Sequence, residues 1–219
     1  AWLATGHYVR IEHDEEHNCY ILKKGIDSEK DQSYMLYRLN QEMLSGLVMP
    51  LGNYTKEQVR SIAKREHIPV TNRKESQDIC FEGYKRYQDF KKHSLYSTAC
   101  PGAIRFTNGS VIGTHKGIIH YTIGQRRGLG IAWPRPLYVL AINAQQNEII
   151  VGHKENTLQH ELIARDVQFI CDRFSKGDVF SATAKIRYQH PEAEAEVTMR
   201  DTCCAHVRFA TPQEAITPG

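Results

Sequence analysis

The period of the hydrophobic pattern changes along this chain, and that change limits the possible folds more than any single residue does. From Leu158 onward the pattern is strands only, in runs at Leu162–Ile170, Val179–Tyr188, Ala193–Met199 and Ala205–Phe209, the last three with apolar and polar residues broadly alternating. A period of two turns one face of each run inward, so this part reads as evenly spaced strands, as in a small barrel or sandwich. The first part mixes periods. Asp31 is placed to cap a helix from Ser33 to Leu44, with Leu36, Leu39 and Met43 on one face. Thr55 and Gln58 have the spacing of a capping box, with Val59, Ile62 and Ala63 as the buried stripe behind it. Pro69 closes that helix, and Val70-Thr71-Asn72 returns to extended chain. The layout is thus residues 1–85, strands and helices together; 86–155, short strands punctuated by glycines; and 156–219, strands alone. The expected fold class is α/β plus β.

Charge is distributed more unevenly than the net value of +3 suggests. Between Phe90 and Asn147 there is no Asp or Glu, while Lys91, Lys92, Arg105, Lys116, Arg126, Arg127 and Arg135 are all basic. At the chain's average of 25 acids in 219 residues, about six or seven would be expected in that window. The rest of the chain carries more acids than bases. His93, His115, His120, Tyr96, Tyr121 and Trp133 lie in the same window and are ring systems able to stack on bases. A phosphate-bearing partner is expected, against the alternative of a small domain that merely lacks acids.

With 41% apolar and 24% charged residues the chain is of ordinary globular composition, able to bury a core. No apolar run is long enough for a membrane helix, and no signal-peptide pattern opens the sequence. Cys19, Cys80, Cys100, Cys171, Cys203 and Cys204 are scattered without a CxxC pair. Cys203 and Cys204, read as strand residues, point to opposite faces and are poorly placed to share a metal. These features lead to the expectation of a reducing, cytoplasmic setting, no disulfide framework and no bound metal. Ala1 to Ala4 reads as a buried strand leading into Thr5-Gly6-His7-Tyr8, and Ile216 to Gly219 as a turn that normally precedes another strand. The expectation is a piece of a longer protein.

Three stretches invite a chemical reading. His13-Asp14-Glu15-Glu16-His17 lacks the Glu directly after the first His that a zincin needs, and lies between apolar runs like a hairpin loop. Gly124-Gln125-Arg126-Arg127-Gly128-Leu129-Gly130 matches no nucleotide-binding fingerprint. It is either a glycine turn with solvated arginines or a loop whose amides and two guanidiniums approach phosphates. Lys74–Phe81, KESQDICF, surrounds Cys80 with polar residues and leaves only Ile79 and Phe81 as apolar neighbours. A core cysteine sits in an apolar run, whereas a working thiol needs solvent and polar partners; composition alone leaves both open.

Taken together, ATGHY (4–8), KDQSYMLYRL (30–39), PLGNYTKEQVRSIAK (50–64), ESQDICF (75–81), GTHKGIIHYTIGQRRGLG (113–130) and AKIRYQ (184–189) resemble the tRNA-specific 2-thiouridylases, the MnmA family, in order over nearly the whole chain. The resemblance implies the C-terminal part of an ATP-pyrophosphatase (Rossmann-like) domain in residues 1–85, a small basic tRNA-binding domain in 86–155 and a partial C-terminal β-barrel in 156–219. It implies a tRNA-uridine 2-sulfurtransferase that adenylates the C2 oxygen of the wobble uridine, U34, with ATP and magnesium, then replaces it with sulfur. Cys80 matches the family's persulfide cysteine, charged by a cysteine desulfurase or a relay protein. Gly6 matches a nucleotide-contacting glycine. His7, Lys30, Asp31, Gln32, Arg187 and Tyr188 match positions that touch tRNA, and Arg126 and Arg127 join them as basic candidates. Strand alternation would separate Arg187 from Tyr188 and favours Arg187. A monomer acting on the tRNA anticodon loop, away from membranes, is the expected context.

The Ser-Gly-Gly-x-Asp-Ser loop of the family is absent from this sequence, and none of the five other cysteines lies in the motif of its second catalytic cysteine. The expectation is therefore a fragment inactive by itself. Two alternatives remain: a non-catalytic RNA-binding remnant, and another ATP-pyrophosphatase such as a 4-thiouridine synthase or an argininosuccinate-synthase relative.

Overall fold

The computed structural model describes residues 2–69, 100–171 and 174–218. In chain order the described strands are β1 Leu3–Ala4, β2 Val9–Asp14, β3 Cys19–Lys24, β4 Leu47–Val48, β5 Gly102–Phe106, β6 Val111–His115, β7 Tyr138–Asn143, β8 Glu148–Gly152, β9 Leu158–Arg165, β10 Val179–Ala184, β11 Ala193–Asp201 and β12 Cys204–Glu214. Among the described residues two α-helices, α1 Gln41–Ser45 and α2 Lys56–Arg65, fall between β3 and β5. Among the described residues no helix is long and apolar enough to cross a membrane. The chain divides into two compact units, Ala1–Glu75 with Ile163–Val207, and Ser76–Leu162 with Arg208–Gly219.

In the first unit β1 pairs in parallel with β4, and β2 forms an antiparallel hairpin with β3 in the register Val9↔Lys24 to Asp14↔Cys19. The His13–His17 stretch is that hairpin's end, as its sequence suggests. His13 stays in β2 against the ring of Tyr20, and Asp14 accepts from Glu16 N and His17 Nδ1 to fold the turn. The His17 hydrogen bond, with the two backbone amides, holds the Asp14 carboxyl below its ordinary range. Helix α2 starts on the expected capping box: Thr55 Oγ1 accepts from Gln58 N at 3.3 Å, and Thr55 N donates to Gln58 Oε1 at 2.8 Å. It ends before Pro69, where His67 takes a positive φ of 54° and the amides of His67 and Ile68 turn back to the carbonyls of Lys64 and Ala63. The return to extended chain expected at Val70–Asn72 lies outside the described residues.

Four expectations fail in this unit. The helix from Ser33 to Leu44 is broken into a 3-10 turn, Ser33–Leu36, and α1. Asn40 is the cause: its Oδ1 accepts from Met43 N at 2.9 Å and starts a new helix there, which leaves Met43 exposed and Leu44 buried. β1 is not a buried strand, since Leu3 is 64% exposed; a two-residue ladder to a single neighbour covers neither face. Cys203 sits in the turn between β11 and β12 rather than in a strand, so the two adjacent thiols do not alternate across a sheet. Asp201 accepts from Cys203 N, and its hydrogen bond to the thiol pushes the Cys203 pKa up.

The fourth correction concerns the expectation of no disulfide: Cys19 and Cys171 are bonded, with Cα atoms 6.0 Å apart and a sequence separation of 152. Gln41 reinforces the same junction. Its Oε1 accepts from Tyr20 N at 2.7 Å, and its Nε2 donates to Tyr20 O at 2.8 Å and Ile170 O at 2.6 Å. Phe169, Phe174 and Phe180 then cluster, with Phe174 and Phe180 stacked at 4.2 Å, and seat this segment against β10.

The second unit holds a four-stranded sheet of order β6-β5-β8-β7, in which only β5–β8 is parallel. Ile104, Leu129, Leu137, Val139, Ile149 and Val151 form its core, with Phe106, Ile112 and Tyr121 packed against it. The strand-rich tail gives a further sheet of order β10-β11-β12-β9, open rather than closed into a barrel among the described residues. Its runs shift from those expected. β9 stops at Arg165, where Asp166 has φ 53°, and β10 stops at Ala184.

Candidate nucleic-acid interface

Long-range packing in the first unit brings together two of the segments singled out in the sequence. Lys30, Asp31 and Gln32 form the turn between β3 and the 3-10 turn at Ser33. Arg187 and Tyr188 lie in the bend that follows β10, not in a strand, so alternation does not place them on opposite faces. Tyr188 Oη donates to the carbonyl of Asp31 at 3.4 Å, and Tyr34 Oη donates to the carbonyl of Ile186 at 3.4 Å. These bonds are long, so each fixes position weakly, but they are reciprocal and join the segments at two points. The rings of Tyr34 and Tyr188 stand 6.2 Å apart, and Lys185 Nζ lies 5.7 Å from the Tyr188 ring centroid. Tyr34 is 36% exposed and Tyr188 40%.

Polar side chains in the 30–32 turn are largely committed to holding it. Asp31 Oδ1 accepts from Gly25 N at 2.9 Å, and Oδ2 accepts from Ser33 Oγ at 2.7 Å. Gln32 closes a two-way bond with Tyr8: its side-chain Oε1 accepts from Tyr8 N at 3.2 Å and its backbone N–H donates to Tyr8 O at 3.3 Å. Asp31 and Gln32 are therefore architectural as well as candidate contacts, and the Asp31 charge is satisfied within the turn. Beside Lys30 an open groove of about 470 Å3 runs along Asp27, Thr55, Lys56, Glu57 and Arg60. Its acids and bases balance, and Asp27 Oδ2 already accepts from Lys56 N at the start of α2, so the groove has no anion preference of its own.

Gly6 follows β1 at the carboxyl end of a strand in a parallel pair, the end at which open α/β sheets bind ligands. It is exposed, and a Cβ there would meet only Leu51 Cδ1 at an ordinary 3.6 Å. Neither clash nor positive φ within the described residues requires glycine at this place. Next to it, His7 Nδ1 lies 2.7 Å from Thr5 Oγ1, a contact that orients the half-buried ring. Cys80 lies outside the described residues, as do Lys91, Lys92, His93 and Tyr96.

In the second unit the glycine-rich loop is built on its own backbone. Gly124, Gly128 and Gly130 have φ of 85°, 80° and 70°, values that side-chain-bearing residues rarely adopt. Gly124 N donates to Val139 O, Val139 N donates to Gln125 O, and the Gln125 side chain bridges Thr122 N and Arg127 O. Leu129 is buried in the core, while Arg126 and Arg127 are exposed and form no ion pair among the described residues. The surrounding charge is less one-signed than the acid-free window suggests. Arg105 pairs with Glu148 at 2.7 Å and Arg135 with Glu155 at 2.5 Å, both acids lying just beyond the window. His115 is no stacking ring either: it is 1% exposed, accepts from Gly117 N at Nδ1 and donates from Nε2 to Asn147 O.

Residue order did not single out Tyr34 and Lys185 as site candidates, although both stand inside motif strings. Tyr34 was covered by the expected helix and Lys185 by the expected strand, and only the meeting of the two segments sets them apart.

Family models described as the tRNA methyl transferase HUP domain, the tRNA methyl transferase PRC-barrel domain and the aminomethyltransferase beta-barrel domain match residues 1–83, 88–153 and 159–219. The chain is 49% identical over 218 residues to tRNA-specific 2-thiouridylase MnmA 1 of Caldanaerobacter subterraneus subsp. tengcongensis. It is 47% identical to tRNA-specific 2-thiouridylase MnmA 2 of Thermoanaerobacter sp. (strain X514) and 44% identical to tRNA-specific 2-thiouridylase MnmA of Moorella thermoacetica. All of this chain is covered in each comparison, against 60%, 60% and 61% of the respective relatives. With three successive domain models and such relatives in agreement along its whole length, the chain belongs to the MnmA family of tRNA-specific 2-thiouridylases.

Proposed function

We propose that this chain is part of an enzyme that replaces the C2 oxygen of a tRNA wobble uridine with sulfur. The observation that carries the reading is identity of 42–49% along the entire chain to proteins named for that activity. The meeting of the 30–32 turn with the Arg187–Tyr188 bend supports it, because both segments match tRNA-contacting positions of the family. The exposed Arg126 and Arg127, held on a hydrogen-bonded glycine loop, add phosphate contacts, and His7 adds a further tRNA contact.

The chemistry runs in two stages. ATP, with magnesium, adenylates the uridine C2 oxygen and releases pyrophosphate, which turns a poor leaving group into a good one. The bare backbone at Gly6 lets the adenosine approach. A persulfide on Cys80 then attacks C2 through its outer sulfur, and AMP departs with the oxygen. A second thiol attacks the inner Cys80 sulfur; the S–S bond breaks, the outer sulfur stays on C2, and a disulfide forms between the two cysteines. Thiol reductant restores Cys80 for recharging by a cysteine desulfurase or relay protein. A persulfide suits this step because it is more acidic and softer than a thiol. Presenting the base costs little, since the anticodon loop is already single-stranded.

The test is a Cys80→Ser exchange in the complete enzyme, produced in cells whose own 2-thiouridylase gene is deleted. Mass spectrometry of digested tRNA reads the outcome. The reading expects loss of wobble 2-thiouridine while tRNA binding by the variant persists. Undiminished 2-thiouridine would overturn it and revive a non-catalytic RNA-binding role.

A further inference from the structure

We infer that Tyr34 and Lys185 are RNA-contacting residues, which join Arg187 and Tyr188 in one binding surface for a single-stranded loop. The inference rests on the proposed tRNA-directed function and names residues that the motif match does not assign.

Three observations carry it. First, Tyr34 and Tyr188 keep over a third of their surface exposed while their hydroxyls are tied to backbone carbonyls of each other's segments. A tyrosine that serves only packing hides its ring; here both side chains keep exposed surface while their hydroxyls reach carbonyls across the junction. Second, the rings are neighbours at 6.2 Å, tilted by 51°. Two adjacent aromatic faces are the arrangement on which successive unpaired bases stack, without regard to base identity. Third, the charge around the rings is basic. Lys185 sits over the Tyr188 face, and Arg187 lies in the same bend. The nearby acids are occupied, Asp31 by Gly25 N and Ser33 and Glu192 by Lys24. A stacking platform flanked by cations, with Glu192 paired to Lys24 and the Asp31 carboxylate turned into its own turn, selects a polyanion with exposed rings rather than an apolar partner.

An RNA hairpin with a uridine-containing seven-nucleotide loop, titrated against this chain at several salt concentrations, tests the proposal. Tyr34→Ala is expected to weaken binding about tenfold with an unchanged salt slope, because it removes a stacking face and no charge. Tyr34→Phe keeps the ring and is expected to stay within about twofold of the parent. Lys185→Gln is expected to weaken binding and to lower the slope of log K against log salt by about one. A purely structural role for Lys185 would leave that slope alone. Thermal melts of the variants separate loss of fold from loss of contact.

If Tyr34→Ala and Lys185→Gln bind like the parent while Arg187→Ala is weakened, the inference fails and the tRNA-directed reading stands. If Tyr34→Phe loses as much as Tyr34→Ala, the hydroxyl clasp rather than the ring matters, and the stacking role is refuted. If the parent chain shows no salt-dependent binding at all, the underlying reading fails with it.

Discussion

The two groups of proposed RNA contacts are built by opposite means. In the first unit, Lys30 to Gln32 and Arg187-Tyr188 are 157 residues apart at the Asp31–Tyr188 bond and meet through tertiary contacts. In the second, Arg126 and Arg127 are neighbours in sequence, held by three positive-φ glycines and one glutamine on a buried leucine. An assembled surface inherits every weakness of the packing beneath it. A local loop needs only its own backbone and the strand it hangs on. The contrast predicts that changes remote from the RNA will disable the first surface and spare the second, or the reverse, according to the unit they touch.

The largest effect is expected from Ile104→Ala, which opens a cavity under a side chain with no exposed surface in the second core. A loss of about 4 kcal/mol is expected there, with faster hydrogen exchange at Gly124 and Val139 and no change at Tyr8 or Gly25. Cys19→Ser inverts the pattern. Removing the bond to Cys171 should cost about 3 kcal/mol, with exchange rising in the β2–β3 hairpin and around Ile170 while the Val139 and Ile149 amides keep their protection. A uniform response of both units to either variant would break the comparison.

Smaller changes sharpen it. Thr55→Ala deletes one side of the α2 capping box and should cost about 1 kcal/mol by chemical denaturation monitored within the first unit. The smallest effect concerns Cys203. Asp201 accepts from the thiol and raises its pKa, so less thiolate is present at neutral pH than for an ordinary cysteine. Asp201→Asn should lower that pKa and speed alkylation of Cys203 on the order of twofold, with the exposed Cys100 of the second unit as internal standard. An unchanged ratio would show that the turn between β11 and β12 does not hold the thiol as described.

The same contrast explains what the sequence revealed. Features written within a few residues were legible: the Thr55–Gln58 box, the loop at the end of the β2–β3 hairpin, and the glycine turn carrying Arg126 and Arg127. Misreadings arose where a local signal competed with a second one, or where the partner is distant. Asn40 is polar and unremarkable in a helical pattern until its side chain caps Met43 N. The Cys19–Cys171 bond joins two lone cysteines that no spacing rule pairs. His115 looks like a basic-window histidine, yet two backbone hydrogen bonds satisfy both ring nitrogens and bury it. Tyr188 follows a strand pattern that ends four residues earlier, and only that end lets its hydroxyl reach Asp31. Cys80 is conspicuous in sequence as a thiol among charged and amide side chains, but it lies outside the described residues and its role stands as proposed above.

Sulfur loading of that thiol tests the account most directly. The chain would be incubated with a cysteine desulfurase, its relay proteins and cysteine, then analysed intact and as peptides by mass spectrometry without reductant. The account predicts one added sulfur on Cys80 and none on Cys100, Cys203 or Cys204. Absence of sulfur on Cys80, under conditions in which the same relay charges a complete 2-thiouridylase, would contradict it.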